Sequence, residues 1–184
     1  MKLMECFTLD HSSRSGRLLP LREIIWELIF GPGFRVVVYY RISLYLRRRR
    51  SPRRLCGLIG RLILVRLARV PGVEIRTTYE IGEGLLIYHP HDIVIGAGVR
   101  IGRNVTIYNG VTLGARSIRT EEELKEGRYP VIGDNVVIFS GAKIIGNVSI
   151  GNACIIGANS VVTRSFPAGS VIAGSPARKL EKHY

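Results

Sequence analysis

The sequence is short of the residues that build disulfide frameworks and metal sites. Its 184 residues include three cysteines, Cys6, Cys56 and Cys154, which follow neither a disulfide nor a zinc-ligand spacing. It contains no run of about 18 uninterrupted apolar residues, so a membrane-spanning helix is not expected. The first apolar run after Met1 is also too short for a secretory signal. These absences favour a metal-free protein of a reducing, cytoplasmic compartment.

Acidic residues are scarce as well, and the resulting positive charge is concentrated at one end. The chain has 27 Lys and Arg against 14 Asp and Glu, a net charge of +13. Residues 1–70 hold 15 of the basic and four of the acidic side chains, whereas residues 71–184 are nearly balanced. We therefore predict a basic segment, 1–70, followed by a separate domain, 71–184. Nucleic-acid binding is the least favoured explanation of the charge, because no recognition helix, aromatic stacking or zinc pattern accompanies it.

The basic segment is expected to form three amphipathic helices. The first carries apolar residues at helical spacing at Leu21, Ile24, Ile25, Leu28 and Ile29. The second covers residues 34–46, and the third covers residues 55–70 with its arginines mostly on one side. The pattern is compatible with two arrangements. The helices bind the anionic inner face of the plasma membrane, or their apolar faces pack within the protein and against neighbouring subunits.

From Ile81 to Val162, apolar residues recur every six positions. The aliphatic first residues are Ile95, Ile101, Ile107, Leu113, Ile132, Ile138, Ile144, Ile150, Ile156 and Val162. The fifth residues, mostly small or β-branched, are Leu85, Val99, Val105, Val111, Val136, Ala142, Val148, Cys154 and Ser160. This period fits neither an α-helix nor an ordinary strand. It predicts a parallel β-helix, in which three six-residue units close each coil and the first and fifth residues point inward. A purely architectural β-helix, such as an adhesin, is the alternative.

Two segments break the six-residue period. At residues 88–92, two extra residues separate the repeat that begins at Ile87 from the repeat that begins at Ile95. Residues 115–130 form a longer polar interruption, which we expect the β-helix to exclude as a loop. Ordering a polar loop of this length within a regular coil is costly, so such a loop is more often functional than accidental.

The motifs between Val73 and Arg178 resemble those of the serine acetyltransferases and of their relatives in polysaccharide gene clusters. The matching stretches are residues 73–75, 81–89, 93–96, 111–114 and 173–178. Residues 32–34 and 40–43 are similar to the segment that enters this domain in the family. The resemblance implies an all-β catalytic domain, a left-handed parallel β-helix of hexapeptide repeats, preceded here by the short basic α-helical segment. This handedness is an exception to the rule for parallel crossovers.

The resemblance assigns catalytic roles to two residues. A histidine at the position of His89 is the general base of the family, and an acidic residue fifteen positions earlier, here Glu74, orients it. An acceptor hydroxyl is a poor nucleophile until a base removes its proton, and imidazole is suited to this near neutral pH. A carboxylate on the other ring nitrogen would fix the imidazole tautomer. The alternative for His89 is a structural histidine that caps a turn.

The resemblance also implies that the acceptor attacks acetyl-CoA directly, without a covalent intermediate or a metal. CoA would lie in a groove between two subunits of a homotrimer, where small residues allow close approach. The candidate groove residues are Gly114, Ala115, Gly141, Ala142, Ala158 and Asn159. Arg178 and Lys179 are placed to meet the nucleotide phosphates, or they belong to a solvated basic tail.

The acceptor-binding positions depart from the family pattern. The candidate residues are Tyr88, His91, Asp92, Arg128 and Tyr129. Serine acetyltransferases have Asp where this chain has Tyr88, and His where it has Tyr129. Two tyrosines flanking the base suit a sugar ring, so the main prediction is acetylation of a sugar hydroxyl in cell-surface polysaccharide synthesis. The alternatives are serine O-acetylation in cysteine biosynthesis and a catalytically inactive scaffold that binds membrane.

Overall fold

The computed structural model describes residue 10 and residues 31–48, 72–76, 81–116 and 129–181. It contains one described helix, α1 (Pro32–Arg48), and fourteen short strands. The strands are β1 (Val73–Ile75), β2 (Leu86–Ile87), β3 (Ile93–Ile95), β4 (Arg100–Ile101), β5 (Thr106–Ile107), β6 (Thr112–Gly114), β7 (Val131–Ile132), β8 (Val137–Ile138), β9 (Lys143–Ile145), β10 (Ser149–Ile150), β11 (Ile155–Ile156), β12 (Val161–Val162), β13 (Val171–Gly174) and β14 (Ala177–Lys179). The first and third predicted helices, Arg128 and most of the predicted loop lie outside the described residues.

The strands form the three faces of a prism. Face 1 has the order β1-β3-β6-β9-β12, face 2 has β4-β7-β10, and face 3 has β2-β5-β8-β11-β13. All neighbours within these faces are parallel, and β14 returns antiparallel to β13. The chain passes from face 3 to face 1, then to face 2 and back to face 3, which completes one coil. The predicted left-handed parallel β-helix is therefore confirmed.

The inward positions of the repeat form the core, as the sequence predicts. The first residues with no exposed surface include Ile95, Ile107, Leu113, Ile138, Ile144, Ile156 and Val162. The fifth residues with no exposed surface are Val99, Val105, Val111, Val136, Ala142, Cys154 and Ser160. Each fully buried Ile, Leu or Val stabilises the fold by about 1.5–3 kcal/mol. The six-residue period of the sequence thus corresponds to one continuous hydrophobic core.

The corner between faces 2 and 3, which we call the plain corner, shows how the coil turns without interrupting the repeat. One residue per coil takes a left-handed backbone conformation there, with φ of 52° at Asn104, 57° at Asn135, 55° at Ala153 and 71° at Gly169. Asn and Gly are the residues that tolerate this conformation best. The side-chain amide of Asn104 donates to the Asn135 Oδ1 atom at 3.3 Å, so a hydrogen bond links successive turns.

Helix α1 closes one end of the prism. Its apolar residues Val36, Val37, Tyr40 and Leu44 are buried in the same core cluster as the β-helix residues. The helix coincides with the second predicted helix, 34–46, and its apolar face is occupied by the β-helix. For α1, therefore, the packing interpretation holds rather than the membrane one. In the part of the chain that the structure describes, no helix has both the length and the apolar character needed to cross a bilayer.

Candidate active site

The corner between faces 3 and 1, which we call the His89 corner, is the place where the repeat gains two residues. The amides of Tyr88, Tyr108 and Phe139 donate to the carbonyls of Ile107, Ile138 and Ile156 in the coil below, at 2.9, 3.0 and 2.9 Å. Tyr88, Tyr108 and Phe139 therefore occupy equivalent positions.

The equivalence resumes three residues after Tyr88, at His91. Gly110 donates to the carbonyl of His91 at 2.8 Å, as Gly141 does to the carbonyl of Asn109. His91 is therefore equivalent to Asn109, which directly follows Tyr108. His89 and Pro90 are the two extra residues that the sequence predicts at this position.

The insertion brings His89 to the surface of the prism. His89 has a φ of 50° and is exposed, whereas Pro90 is buried. The amide of His91 donates to the carbonyl of His89 at 2.7 Å, which closes a tight turn. Asp92 ends the turn, also with a left-handed φ of 54° and an exposed side chain. The turn therefore presents the His89 imidazole and, three residues later, the Asp92 carboxylate at one corner.

Glu74 lies near this turn but does not contact the imidazole. It is on β1 of face 1, in register with Val94 of β3, the strand that follows the His89 turn. Its carboxylate is paired with Arg76, and both side chains are largely exposed. No ion pair joins Glu74 and His89, so their predicted contact remains a prediction. Because exposed ion pairs contribute only about 0–1 kcal/mol, exchanging Arg76 for an imidazolium partner costs Glu74 little.

An aromatic stack runs down the His89 corner from Tyr88, the residue before His89. The rings of Tyr88 and Tyr108 are 5.1 Å apart at an interplanar angle of 21°, and those of Tyr108 and Phe139 are 5.2 Å apart at 23°. The stack ends at the next coil, where Gly157 occupies the equivalent position. Tyr108 and Phe139 are absent from the site that the sequence predicts. Writing the repeat coil by coil would have aligned all three aromatic residues.

Tyr129 lies at a different corner, so Tyr88 and Tyr129 do not flank His89 within one chain. Its ring packs over the turn between β3 and β4, where a Cβ added to Gly96 would lie 2.7 Å from the Tyr129 Cε1 atom. Strand β3 separates this turn from the His89 turn. The reason is topological: β6 of face 1 ends at Gly114 and β7 of face 2 begins at Val131, so Tyr129 belongs to the corner between faces 1 and 2, which we call the loop corner.

The candidate CoA residues are divided between the same two corners. Gly141, Ala158 and Asn159 lie on the His89 corner, in the coils that follow the His89 turn, and the last two are exposed. Gly114 ends β6 and, with Ala115, lies at the loop corner. Ala142 has no exposed surface, so it belongs to the core and cannot line a groove; its amide donates to the carbonyl of Phe139, and its carbonyl accepts from the amide of Thr112.

The two candidate phosphate-binding residues lie near the far end of the His89 corner. Arg178 and Lys179 are exposed on β14, and Arg178 is paired with Ala173 of β13. The amide of Gly157 donates to the carbonyl of Ile172, so Ala173 continues the row of Tyr88, Tyr108, Phe139 and Gly157. Four steps of about 4.8 Å place this end about 19 Å from the His89 coil. The described His, Cys, Asp and Glu residues form no group of three that could hold a metal ion.

Comparisons with known proteins agree with this geometry. Residues 129–164 match the family model of the bacterial transferase hexapeptide (six repeats). The serine acetyltransferase of Helicobacter pylori (strain ATCC 700392 / 26695) is 40% identical over 111 residues, 58% of this chain and 61% of that protein. The solved structure of soybean serine acetyltransferase complexed with serine is 32% identical with a TM-score of 0.75, over 97% of this chain and 69% of that one.

The chain belongs to the serine acetyltransferase family. A serine acetyltransferase structure in complex with CoA is also similar, at 30% identity and a TM-score of 0.72, over 97% of this chain and 69% of that one. The chain spans about three fifths of the length of the Helicobacter relative. All three of these family members are serine acetyltransferases, and none supports the predicted polysaccharide branch.

Proposed function

We propose that the protein is an acetyl-CoA-dependent O-acetyltransferase whose acceptor is serine, with His89 as the general base. The observation that carries the proposal is the two-residue insertion that exposes His89 at a corner of the prism. The acceptor follows the relatives rather than our main prediction of a sugar, because solved relatives are complexes with serine and with CoA.

The reaction needs one proton carrier and no covalent enzyme intermediate. His89 removes the proton of the acceptor hydroxyl while its oxygen attacks the thioester carbonyl carbon of acetyl-CoA. When the tetrahedral intermediate collapses, the carbon–sulfur bond breaks, and the CoA sulfur takes the proton from the imidazolium. The products are the acetyl ester and free CoA. Glu74, if it exchanges Arg76 for His89, fixes the imidazole tautomer and stabilises the imidazolium.

The division of the groove residues between two corners supports an active site shared by two chains. Gly141, Ala158 and Asn159 belong to one corner and Gly114 and Ala115 to another, so one ligand meets both sets only where two copies adjoin. A closed three-fold arrangement makes every such junction equivalent. We therefore propose a homotrimer with three active sites between its subunits.

Face 3 has the composition of a surface that packs against another copy. Its outward residues are Leu86, Thr106, Val137, Ile155 and Val171. Ile155 is 41% exposed in the single chain, and contiguous apolar surface of this kind marks interaction sites. Light scattering at micromolar concentration should give three times the chain mass, and a monomer would remove the shared groove from the proposal.

Asp92 is our candidate partner for the ammonium group of serine. Tyr88 replaces the aspartate that the family places before the base, and its ring is fixed in the aromatic stack. Asp92 is an exposed carboxylate on the same turn, three residues after His89. An ammonium group left unpaired in a desolvated pocket would cost several kcal/mol, so serine binding requires a carboxylate at this turn.

A sugar hydroxyl is the second candidate acceptor, and the aromatic stack is the observation that favours it. Tyr88, beside the base, supplies apolar ring surface and a hydroxyl, as carbohydrate sites commonly do. The stack continues to Tyr108 and Phe139, so an acceptor larger than serine would meet further aromatic surface along the corner.

A panel of acceptors tests the proposed function directly. Purified protein is given acetyl-CoA with serine, free sugars, nucleotide sugars or oligosaccharides, and released thiol is measured. We expect serine to be turned over with kcat/KM of about 10⁴ M⁻¹s⁻¹ or more, and Asp92→Asn to raise the KM for serine but not for acetyl-CoA. If a sugar is turned over faster than serine, the sugar hydroxyl becomes the proposed acceptor in place of serine. If none of the acceptors in the panel gives thiol release, the inactive scaffold is the remaining alternative.

A further inference from the structure

A buried ion pair ties the N-terminal segment to the start of the β-helix. Arg41 of α1 binds Asp10 through two hydrogen bonds, Nε to Oδ2 at 3.1 Å and Nη2 to Oδ1 at 3.0 Å. The side chains are 2% and 0% exposed. Charges buried this deeply need every polar atom to be satisfied, so the remaining partners of the pair show what it holds in place.

Four further partners of the pair are backbone groups of the first coil. Arg41 donates to the carbonyls of Ile81 and Gly82, the latter at 2.6 Å. The Asp10 Oδ1 atom accepts from the amides of Gly84 and Leu85, at 2.7 and 3.1 Å. One ion pair therefore satisfies four backbone groups between residues 81 and 85, directly before β2.

The beginning of α1 rests on the other end of β2. A Cβ atom added to Gly33 would overlap the carbonyl oxygen of Ile87. Ile87 is the last residue of β2 and lies two positions before His89. On its other side, β2 is bonded to the coil below, through the amides of Leu86 and Tyr88 at 2.9 Å each. The strand that leads into the His89 turn is thus held between α1 and the second coil.

We propose that α1 and the Asp10–Arg41 pair are positioning elements for the His89 turn, which rests on the proposed function of His89 as the base. The turn is exposed, departs from the repeat and holds two residues with left-handed φ, His89 and Asp92. Its direction is set by the strand that enters it. A general base must lie within hydrogen-bond distance of the proton that it removes. A distant mutation that displaces the reacting groups by about 1 Å can therefore lower turnover about 100-fold.

Gly33→Ala and Arg41→Lys test this role from the two ends of β2. Gly33→Ala places a methyl group against the Ile87 carbonyl. Arg41→Lys keeps the positive charge but removes the bidentate hydrogen bonding to Asp10. Gly151→Ala is the matched control, because its Cβ would lie 2.4 Å from the Ala168 amide nitrogen, in a coil near the opposite end of the prism. All three variants should lower the unfolding temperature.

The kinetic constants and amide exchange separate positioning from stability. We expect Gly33→Ala to lower kcat by about 10- to 100-fold and Arg41→Lys by a smaller factor, with the KM for acetyl-CoA within about twofold. The His91 amide, which donates to His89, should exchange faster in both variants, while Gly151→Ala leaves kcat and this amide unchanged.

Two results would overturn the proposal. One is a kcat in both variants that falls no further than in the Gly151→Ala control. The other is unchanged protection of the His91 amide in both variants. Arg41→Lys decides the matter if Gly33→Ala does not fold. If the wild-type protein transfers acetyl to no acceptor, the proposed function fails separately, and His91 exchange alone then decides whether α1 fixes the turn.

Discussion

The plain corner and the His89 corner are built on the same coils and differ by two residues. At the plain corner each coil turns through one left-handed residue, and Asn104 and Asn135 are bonded across successive turns. At the His89 corner the second to fourth coils turn in a similar way, but the first inserts His89 and Pro90. The plain corner binds the coils to each other, whereas the insertion faces outward.

The contrast explains how a repetitive fold acquires a reactive group. The first and fifth residues of each repeat are buried in the core, so their side chains are not available to a substrate. The two residues added to the first coil have no equivalent positions in its neighbours. Of these two residues, His89 is exposed, whereas Pro90 is buried.

Removing the insertion should have the largest effect. Deletion of His89 and Pro90 makes the first coil equivalent to the coil that carries Tyr108 and Asn109. We expect the rate of acetyl transfer to fall by about 10²–10⁴-fold, the usual range for loss of a general base. The unfolding temperature should stay within a few degrees, because the core and the coil hydrogen bonds remain. An assay of released thiol would measure the loss of acetyl transfer, and thermal unfolding followed by circular dichroism would measure the unfolding temperature. Loss of the fold would show that the insertion is structural.

Changing the predicted partner of the base should have an intermediate effect. Glu74→Gln keeps the shape of the side chain but removes the charge that would stabilise the imidazolium. We expect kcat to fall by about tenfold, less than loss of the base itself, with little change in the KM for acetyl-CoA. Arg76→Gln is the matched control, since it removes the present partner of Glu74 and should not lower kcat. A normal kcat in Glu74→Gln would remove Glu74 from the mechanism.

The plain corner should respond to substitution through stability alone. Ala153 has a φ of 55°, a conformation that an alanine adopts at a cost of about 1–2 kcal/mol. Ala153→Gly relieves that strain and loses part of the gain to the greater freedom of the unfolded chain. We expect a rise in unfolding temperature of about 2 °C with unchanged kcat. Altered kcat would mean that the plain corner also contributes to activity.

The core and the position of the insertion could be predicted because they follow from spacing. A six-residue period has one packing solution in which Ile107, Ile138 and Ile156 all point inward, and the structure buries all three. The same count locates the two extra residues before Ile95. The helix at residues 32–48 was predicted to within two residues at each end, because its apolar run follows the Gly31-Pro32-Gly33 break and stops at the arginine block 47–50.

Contacts between distant parts of the chain could not be predicted in the same way. Nothing in the spacing joins Asp10 to Arg41, because a buried ion pair leaves no periodic signal. Tyr88 and Tyr129 were expected together, yet Tyr129 lies at the loop corner, which strand β3 separates from the His89 turn. Whether α1 packs or binds membrane was equally undecided, since an apolar helix face has the same sequence in both cases.

The turnover of His89→Ala tests the central claim most directly. The variant keeps the insertion, so the turn, the aromatic stack and α1 should stay in place while the base is lost. The account predicts that kcat falls by at least about 100-fold, with the Kd for acetyl-CoA, measured by calorimetry, within about twofold of the wild-type value. Near-normal turnover in His89→Ala would contradict it.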